Sequence, residues 1–256
     1  MAAFWIATSA GAQVPAFPGA VGFGAVATGG RGGSVYHVRN LYDSGPGSFR
    51  DAVSQPNRIV VFDVGGFTLL PSTNRTVNAG IQIQNNTTVA GQTAPGDGFG
   101  VIARETGVGG ATNIIVRYLR CRQGMLDGHS AGNGVGGYLA NTVIFDHVSI
   151  GFGQWNNIDF VGAQNITFQN CILADPTGQQ FNAHTEVGPF CWYRNLWANA
   201  HNRQPLARSD TVYVNNFVYD YQAAYTTTTS ANYHHDLINN YFVTGPYTGT
   251  PGDNFF

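Results

Sequence analysis

The sequence has 256 residues, of which 43% are hydrophobic and only 10% are charged. Its net charge is −2 and all 12 cationic side chains are arginines without a basic run, which argues against nucleic acid as a partner. No apolar stretch has the length of a membrane helix. Asn, Thr and Gly take the place of charged residues, a composition that favours an extracellular β protein with one large core.

The N-terminal segment MAAFWIATSAGAQ is apolar, uncharged and rich in small residues. It ends in an A-x-A-like sequence at Ala10–Ala12 but lacks the basic start of a secretion signal. We expect residues 1–16 to be a signal remnant or a disordered N-terminus, and we expect the protein to be secreted. Four glycosylation sequons are consistent with secretion. They begin at Asn74, Asn85, Asn86 and Asn165.

The next predicted element is a short cap. The stretch GSFRDAVSQ is predicted to form a helical turn with Ser48 as its N-cap residue. A stack of repeated strands needs such a cap to cover the open end of its core. The runs RIVVFDVGG and NNTTVAG are predicted to be the first strands after it.

Short β-rich runs then recur along the chain, and each is followed by a polar corner residue. The corner residues are separated by steps of 21 to 27 residues. They are Arg120, His147, Asn170, Asn195, Asn216 and Asn240. A strand repeat of this length predicts a parallel β-helix, an all-β solenoid in which the Asn amides pair from one turn to the next. An antiparallel sandwich with regularly spaced turns is the alternative.

The C-terminal sequence GPYTGTPGDNFF stops soon after the Asn240 repeat and offers no polar cap. We therefore expect residues 17–256 to form one parallel β-helix domain whose C-terminal end is either truncated or covered by another element. The three cysteines, Cys121, Cys171 and Cys191, are odd in number and show no metal-binding spacing. They are predicted to be buried free thiols.

Six motifs resemble the pectate lyases of polysaccharide lyase family 1, in the order of that family and over residues 17–243. They are FPGAVGFGAVATGGRGG, VYHVRNLYDSGPGSFRDAV, IVVFDVGG, TVAGQTAPGDG, VIFDHVSI and RQPLAR. The resemblance implies a right-handed parallel β-helix. It also implies β-elimination on an acidic, uronate-containing polysaccharide, usually with calcium.

The RQPLAR motif matches the R-x-P-x-x-R block of the family. By this resemblance Arg203 is the catalytic base and Arg208 binds the uronate carboxylate, for which a guanidinium is geometrically suited. Arginine is a demanding base because it is almost always protonated, so nearby positive charge must make its neutral form accessible. The alternative is that both arginines form surface ion pairs with Asp210 or Asp146.

Four further residues are candidates for binding substrate. His184, Arg194 and His201 are candidates because the family carries a substrate-contacting lysine and this chain has no lysine. His184 is also a candidate to protonate the leaving group. Asp146 belongs to the VIFDHVSI block, where it and His147 are adjacent on a strand and therefore face opposite sides. One of these two is expected to point inward as a structural residue.

The implied calcium site departs from the family pattern. The resemblance places family carboxylates where this chain has Asn133 and Asn156, and of the expected acidic block only Asp159 remains. Asp127 lies nearby and is a candidate to compensate in part. Because calcium prefers several carboxylate oxygens, we predict a degraded site with weak or absent calcium binding.

Together these features predict a secreted, monomeric polysaccharide lyase that acts on pectate or pectin. A non-catalytic carbohydrate-binding β-helix is the alternative from another functional class. An inverting hydrolase of the polygalacturonase type is less well supported, because that chemistry needs paired carboxylates that hold a water molecule. Detection of unsaturated uronate products separates a lyase from both.

Overall fold

The computed structural model describes residues 13–70, 80–124, 132–227, 231–246 and 248. The described strands stack into a nearly all-β solenoid of about eight turns, which confirms the predicted fold. Every pairing between the named strands is parallel, and this excludes the antiparallel sandwich. Of the N-terminal segment predicted to be a signal remnant or disordered, residues 13–16 are described, and the Ala16 amide donates to the Ala25 carbonyl.

The elements are numbered in chain order. The strands are β1 (Ser34–Val38), β2 (Arg58–Phe62), β3 (Gly66–Leu69), β4 (Ile81–Gln82), β5 (Thr87–Ala90), β6 (Phe99–Ile102), β7 (Thr106–Gly107), β8 (Thr112–Arg117), β9 (Leu119–Arg122), β10 (Val135–Gly136), β11 (Asn141–Asp146), β12 (Ser149–Gly151), β13 (Asn156–Gln169), β14 (Ile172–Ala174), β15 (Phe181–Tyr193), β16 (Leu196–Ala200), β17 (Leu206–Val214), β18 (Phe217–Tyr221), β19 (Thr226–Thr227), β20 (His235–Ile238) and β21 (Tyr241–Val243). The helical elements are α1 (Phe49–Val53) and two 3-10 turns, Phe23–Val26 and Gly91–Thr93.

The strands form two sheets. The smaller sheet has eight strands in the order β21-β18-β16-β14-β12-β9-β6-β3. The larger sheet has 13 strands and two wings, which the long strands β13, β15 and β17 join. One wing contains β1, β2, β5, β8 and β11, and the other contains β4, β7 and β10. The second of these wings, with the first halves of the long strands, carries the candidate site.

The core lies inside the coil, where side chains at the same position of successive turns stack on one another. Phe145, Phe168 and Trp192 are register partners on β11, β13 and β15. Their rings stack with centroid distances of 4.5 and 4.7 Å. Each such aromatic pair adds about 0.5–1.5 kcal/mol beyond the burial of its area. All three cysteines are buried and free, as predicted.

The predicted cap is present at the first turns of the solenoid. The Ser48 side chain accepts a hydrogen bond from the Asp51 amide, which makes it the N-cap of α1 as the sequence predicts. Phe49 of this helix is fully buried and contacts Phe62 and Phe99 in the core. Among the described helices, none combines the length and the hydropathy that crossing a membrane requires.

The predicted asparagine ladder is present, but Asn170 is not part of it. Asn195, Asn216 and Asn240 pair through their amides, with Nδ2 to Oδ1 distances of 3.1 Å at both steps. The next position of this column is Cys171, whose backbone amide donates to Asn195 Oδ1. The prediction for Asn170 was wrong by one residue.

Asn170 belongs to a second column at the same corner, where each residue has a positive φ. It contains Tyr118, His147, Asn170, Arg194, Asn215 and Asn239. Asn combines tolerance of the left-handed backbone with the ability to pair by its amide. The sequence pattern did not separate these two roles: residues of one column adopt the left-handed backbone, and residues of the adjacent column pair through their amides.

Replacing Asn216 with alanine should lower the free energy of unfolding by about 2–4 kcal/mol, because the Asn195 amide and the Trp192 carbonyl would lose a buried partner. Asn240→Ala is the matched control: this ladder member is only half-buried, so water can replace its amide at a smaller cost. Urea unfolding of both variants measures the difference. Equal losses would show that burial of the ladder does not determine its contribution.

Candidate active site

The two arginines of the RQPLAR motif lie on the same face of the site-bearing wing. Arg203 lies in the turn between β16 and β17, and Arg208 is on β17. Arg203 Nη1 donates to Asn156 Oδ1 at 3.0 Å. Its guanidinium also lies 3.9 Å from the centre of the Phe181 ring. Such a cation–π contact contributes about 0.5–2 kcal/mol and, with the hydrogen bond, fixes the guanidinium.

A chain of contacting side chains, two acids, a histidine and an arginine, crosses three neighbouring strands beside Arg203. Arg208 Nη1 donates to Glu186 Oε1 at 3.0 Å. The same oxygen lies 3.0 Å from His184 Nε2, and His184 Nδ1 lies 3.0 Å from Asp159 Oδ1. His184 is only 14% exposed, so its ring is held between two carboxylates.

The strand register explains this chain of contacts. Asp159 on β13 is the direct partner of His184 on β15, and Glu186 is the direct partner of Arg208 on β17. His184 and Glu186 are two residues apart on one strand and therefore face the same side. The parallel ladder thus brings together residues that are as much as 49 positions apart in the sequence.

Amide and carboxylate groups extend the site toward the earlier turns. Asn133 Nδ2 donates to Glu105 Oε2 at 3.0 Å, and Asn133 Oδ1 accepts from the Asn156 amide at 3.3 Å. Gly136, the register partner of Asp159, leaves room for Glu105, because a Cβ there would lie 2.2 Å from Glu105 Oε1. We call the outward side of this wing, with Glu105, Asn133, Asn156, Asp159, His184, Glu186, Arg203 and Arg208, the arginine face.

Burial and neighbouring charges shift two pKa values on the arginine face. The pKa of Arg203 is lowered, mainly by burial of its guanidinium and in smaller part by the positive charge of Arg208, while Asp159 opposes the shift. The pKa of Glu105 is raised, mainly by burial, and the negative charge of Asp159 adds to this effect. A lowered pKa makes the neutral, basic form of Arg203 more accessible.

The structure brings six of the predicted site residues together. They are Arg203, Arg208, His184, Asn156 and Asp159, and Asn133 joins them through its contact with Asn156. His201 is exposed at the edge of this group, with its ring 6.3 Å from that of Phe181. Asp127 lies outside the described residues.

Asp146 is not part of this group. It lies at the end of β11 in the other wing and is only 1% exposed. Its carboxylate accepts hydrogen bonds from Arg117, Gln169 and Asn170. It is a structural residue, but the expectation that it points inward was wrong: its neighbour Phe145 faces the core, so Asp146 faces out of the coil. It is buried beside Gln169, which also bonds to Gly19 and Val21 of the N-terminal segment, and His147 Nδ1 lies 3.0 Å from its carboxylate. Asp210, the other acid considered as a surface partner for the arginines, lies next to His234 instead.

Sequence reasoning missed two members of the arginine face, Glu105 and Glu186. Glu186 could have been found, because it lies two residues after His184 in a predicted strand and so shares its face. Glu105 precedes a strand of only two residues, and no motif spacing points to it. Its position became visible only from the stacking of the turns.

The oxygen atoms expected to bind calcium are already engaged by nitrogen donors. Arg203 donates to Asn156 Oδ1, the Asn156 backbone amide donates to Asn133 Oδ1, and His184 contacts Asp159. Within the described ranges, no three His, Cys, Asp or Glu side chains cluster closely enough to hold a metal ion. These residues do not fit a calcium site built from several carboxylates.

Comparison with known proteins gives the family context of this face. No protein-family model matches the chain. It is 38% identical over 255 residues to "Probable pectate lyase C" of Aspergillus terreus and 41% identical over 243 residues to the protein of the same name from Aspergillus fumigatus strain CBS 144.89. The chain is a homologue of pectate lyase C. The two alignments cover 94% and 91% of this chain but 58% and 55% of the relatives, so the chain spans little more than half of their length.

Solved structures support the fold of this pectate lyase C homologue. The major cedar pollen allergen jun a 1 matches 93% of the chain and 86% of its own, with a TM-score of 0.63 and 14% identity. A pectate lyase from Bacillus sp. N165, solved in complex with trigalacturonate, matches 93% of the chain and 92% of its own, with a TM-score of 0.58 and 13% identity. At these identities the matches establish the shared β-helix architecture.

Proposed function

We propose that the chain is a secreted polysaccharide lyase that cleaves pectate or pectin by β-elimination, with Arg203 as the base. The observation that carries this proposal is that two arginines lie on one outward face: Arg203, which is half-buried and has a lowered pKa, and Arg208. Homology to proteins named pectate lyase supports the reaction class. A monomer acting with weak or no calcium is part of the same proposal.

The reaction follows from the chemistry of a 4-linked uronate. Arg208 binds the C6 carboxylate, which acidifies the proton on C5. Neutral Arg203 accepts that proton, the electron pair of the C5–H bond forms the C4=C5 double bond, and the C4–O4 bond breaks. The departing O4 takes its proton from water, because both ring nitrogens of His184 are already in contact with carboxylates.

The test is an assay for unsaturated uronate, which absorbs in the ultraviolet, on polygalacturonate and on methyl-esterified pectin. Each substrate is measured with added calcium and with a chelator. We expect product on at least one substrate, with activity that the chelator reduces only modestly. New reducing ends without unsaturation would indicate a hydrolase instead, and binding without cleavage would indicate a carbohydrate-binding protein.

The activity should rise with pH from neutral into the alkaline range. The active form of Arg203 is deprotonated, so below its folded-state pKa the rate should increase about tenfold per pH unit. Arg208→Gln removes a charge that lowers the pKa of Arg203, so it should move this rise to higher pH as well as weaken substrate binding. Measurement of kcat against pH checks both effects, and a flat profile would argue against an arginine base.

A further inference from the structure

Glu186 already contacts the guanidinium that the proposed reaction assigns to the substrate. Its Oε1 atom accepts from Arg208 Nη1 and lies at the same distance, 3.0 Å, from His184 Nε2. Both partners of the ion pair are accessible, with Glu186 31% and Arg208 41% exposed. An internal carboxylate therefore lies where a uronate carboxylate would approach Arg208.

We propose that Glu186 is a specificity-determining residue that weakens the binding of charged uronates relative to their methyl esters. This inference rests on the proposed function, in which Arg208 binds the C6 carboxylate. A substrate carboxylate on Arg208 would share one guanidinium with Glu186, so two like charges would lie close together and repel. A methyl ester at C6 carries no charge and escapes this repulsion.

The other carboxylates of the arginine face also repel a charged uronate. This face carries three carboxylates, Glu105, Asp159 and Glu186, and two arginines. Among these carboxylates Glu186 is the one bonded to Arg208. The ion pair itself should contribute little to stability, since partly exposed pairs are worth about 0–1 kcal/mol. β17 also places Arg208 between the buried residues Ala207 and Ser209. Removing the charge of Glu186 should therefore change binding more than folding.

The experiment compares Glu186→Gln with the unmodified protein. Glutamine preserves the size of the side chain and an oxygen that can accept from Arg208, but it removes the negative charge. We expect the Kd for trigalacturonate, measured by calorimetry with a chelator at about 10 mM salt, to fall about fivefold. The Kd for its methyl ester should be unchanged, and the difference should shrink at about 300 mM salt.

Asp63→Asn is the matched control. Asp63 also contacts a histidine and an arginine, His37 and Arg39, but lies after β2, among the first turns of the solenoid. The Asp63→Asn variant removes one negative charge, as Glu186→Gln does, and should leave both Kd values unchanged. Weaker binding of trigalacturonate by Glu186→Gln, or an equal gain for the ester and the acid, would overturn the inference.

Ultraviolet absorbance of the same samples separates this inference from the proposed function. A lower Kd in the variant without unsaturated product from either protein would support the role of Glu186 and reject the lyase. Product from both proteins with unchanged Kd values would support the lyase and overturn the role of Glu186.

Discussion

Replacing Arg203 with alanine is expected to lower kcat on pectate or pectin by about 10³-fold, the range that a positioned base supplies. The expected loss follows from the geometry around the guanidinium. Asn156 and Phe181 fix its position, and burial lowers its pKa. Alanine removes the proposed acceptor of the C5 proton and leaves Arg208, the proposed ligand of the carboxylate, in place. KM should therefore change far less than kcat, and steady-state kinetics with an ultraviolet assay of product measures both.

Arg194→Ala is a close control for this change. Arg194 also has a positive φ, 55° compared with 63° for Arg203, and its guanidinium also lies over an aromatic ring, that of Tyr193. It occupies the corner after β15, away from the arginine face. Arg203→Ala should lose more stability, because Arg203 also bonds to the buried Asn156 while Arg194 is exposed, but only Arg203→Ala should lose activity. If Arg203→Ala retains more than about a tenth of wild-type kcat, another group is the base.

The fold was predictable because stacking imposes a repeat that the sequence displays. Steps of 21 to 27 residues between corner residues indicated the solenoid, and Ser48 indicated its cap. The exact register was less accessible, as Asn170 shows. An asparagine can serve at the corner through its backbone or through its amide, and sequence alone does not distinguish these two uses.

The site was predictable where a motif names its residues and less so where only the register brings them together. The RQPLAR motif identified Arg203 and Arg208, and both lie on one face. Glu186 and Glu105 belong to no motif, since parallel pairing between distant turns sets their contacts. Asp146 shows the opposite case, a motif residue whose carboxylate is used to hold the other wing together.

Calcium binding is the second large effect that the arginine face predicts. We expect calorimetric titration of the unmodified protein to show no tight site at micromolar calcium. The double replacement Asn133→Asp with Asn156→Glu should increase calcium affinity on the order of 100-fold, because it adds two carboxylates beside Glu105 and Asp159. The thermal stability of the double variant should depend on calcium. Without calcium the added like charges should lower Tm, and calcium should restore it.

The Asn133→Asp replacement has a matched control elsewhere in the chain. Asn199 Nδ2 donates to Asp175 Oδ1 at 2.8 Å, just as Asn133 donates to Glu105. Asn199→Asp therefore creates the same pair of facing carboxylates outside the arginine face. It should lower Tm without producing a calcium site.

The same double replacement should change how activity depends on calcium. A carboxylate at position 156 would contact Arg203 directly, and an adjacent negative charge raises the pKa of a guanidinium. Activity in chelator should therefore fall below that of the unmodified protein, because less neutral Arg203 is available. Bound calcium would offset the added charge, so activity should recover as calcium is titrated. A micromolar calcium site in the unmodified protein, with activity abolished by chelator, would overturn this prediction and show that the acidic block was assigned to the wrong residues or that ligands lie elsewhere.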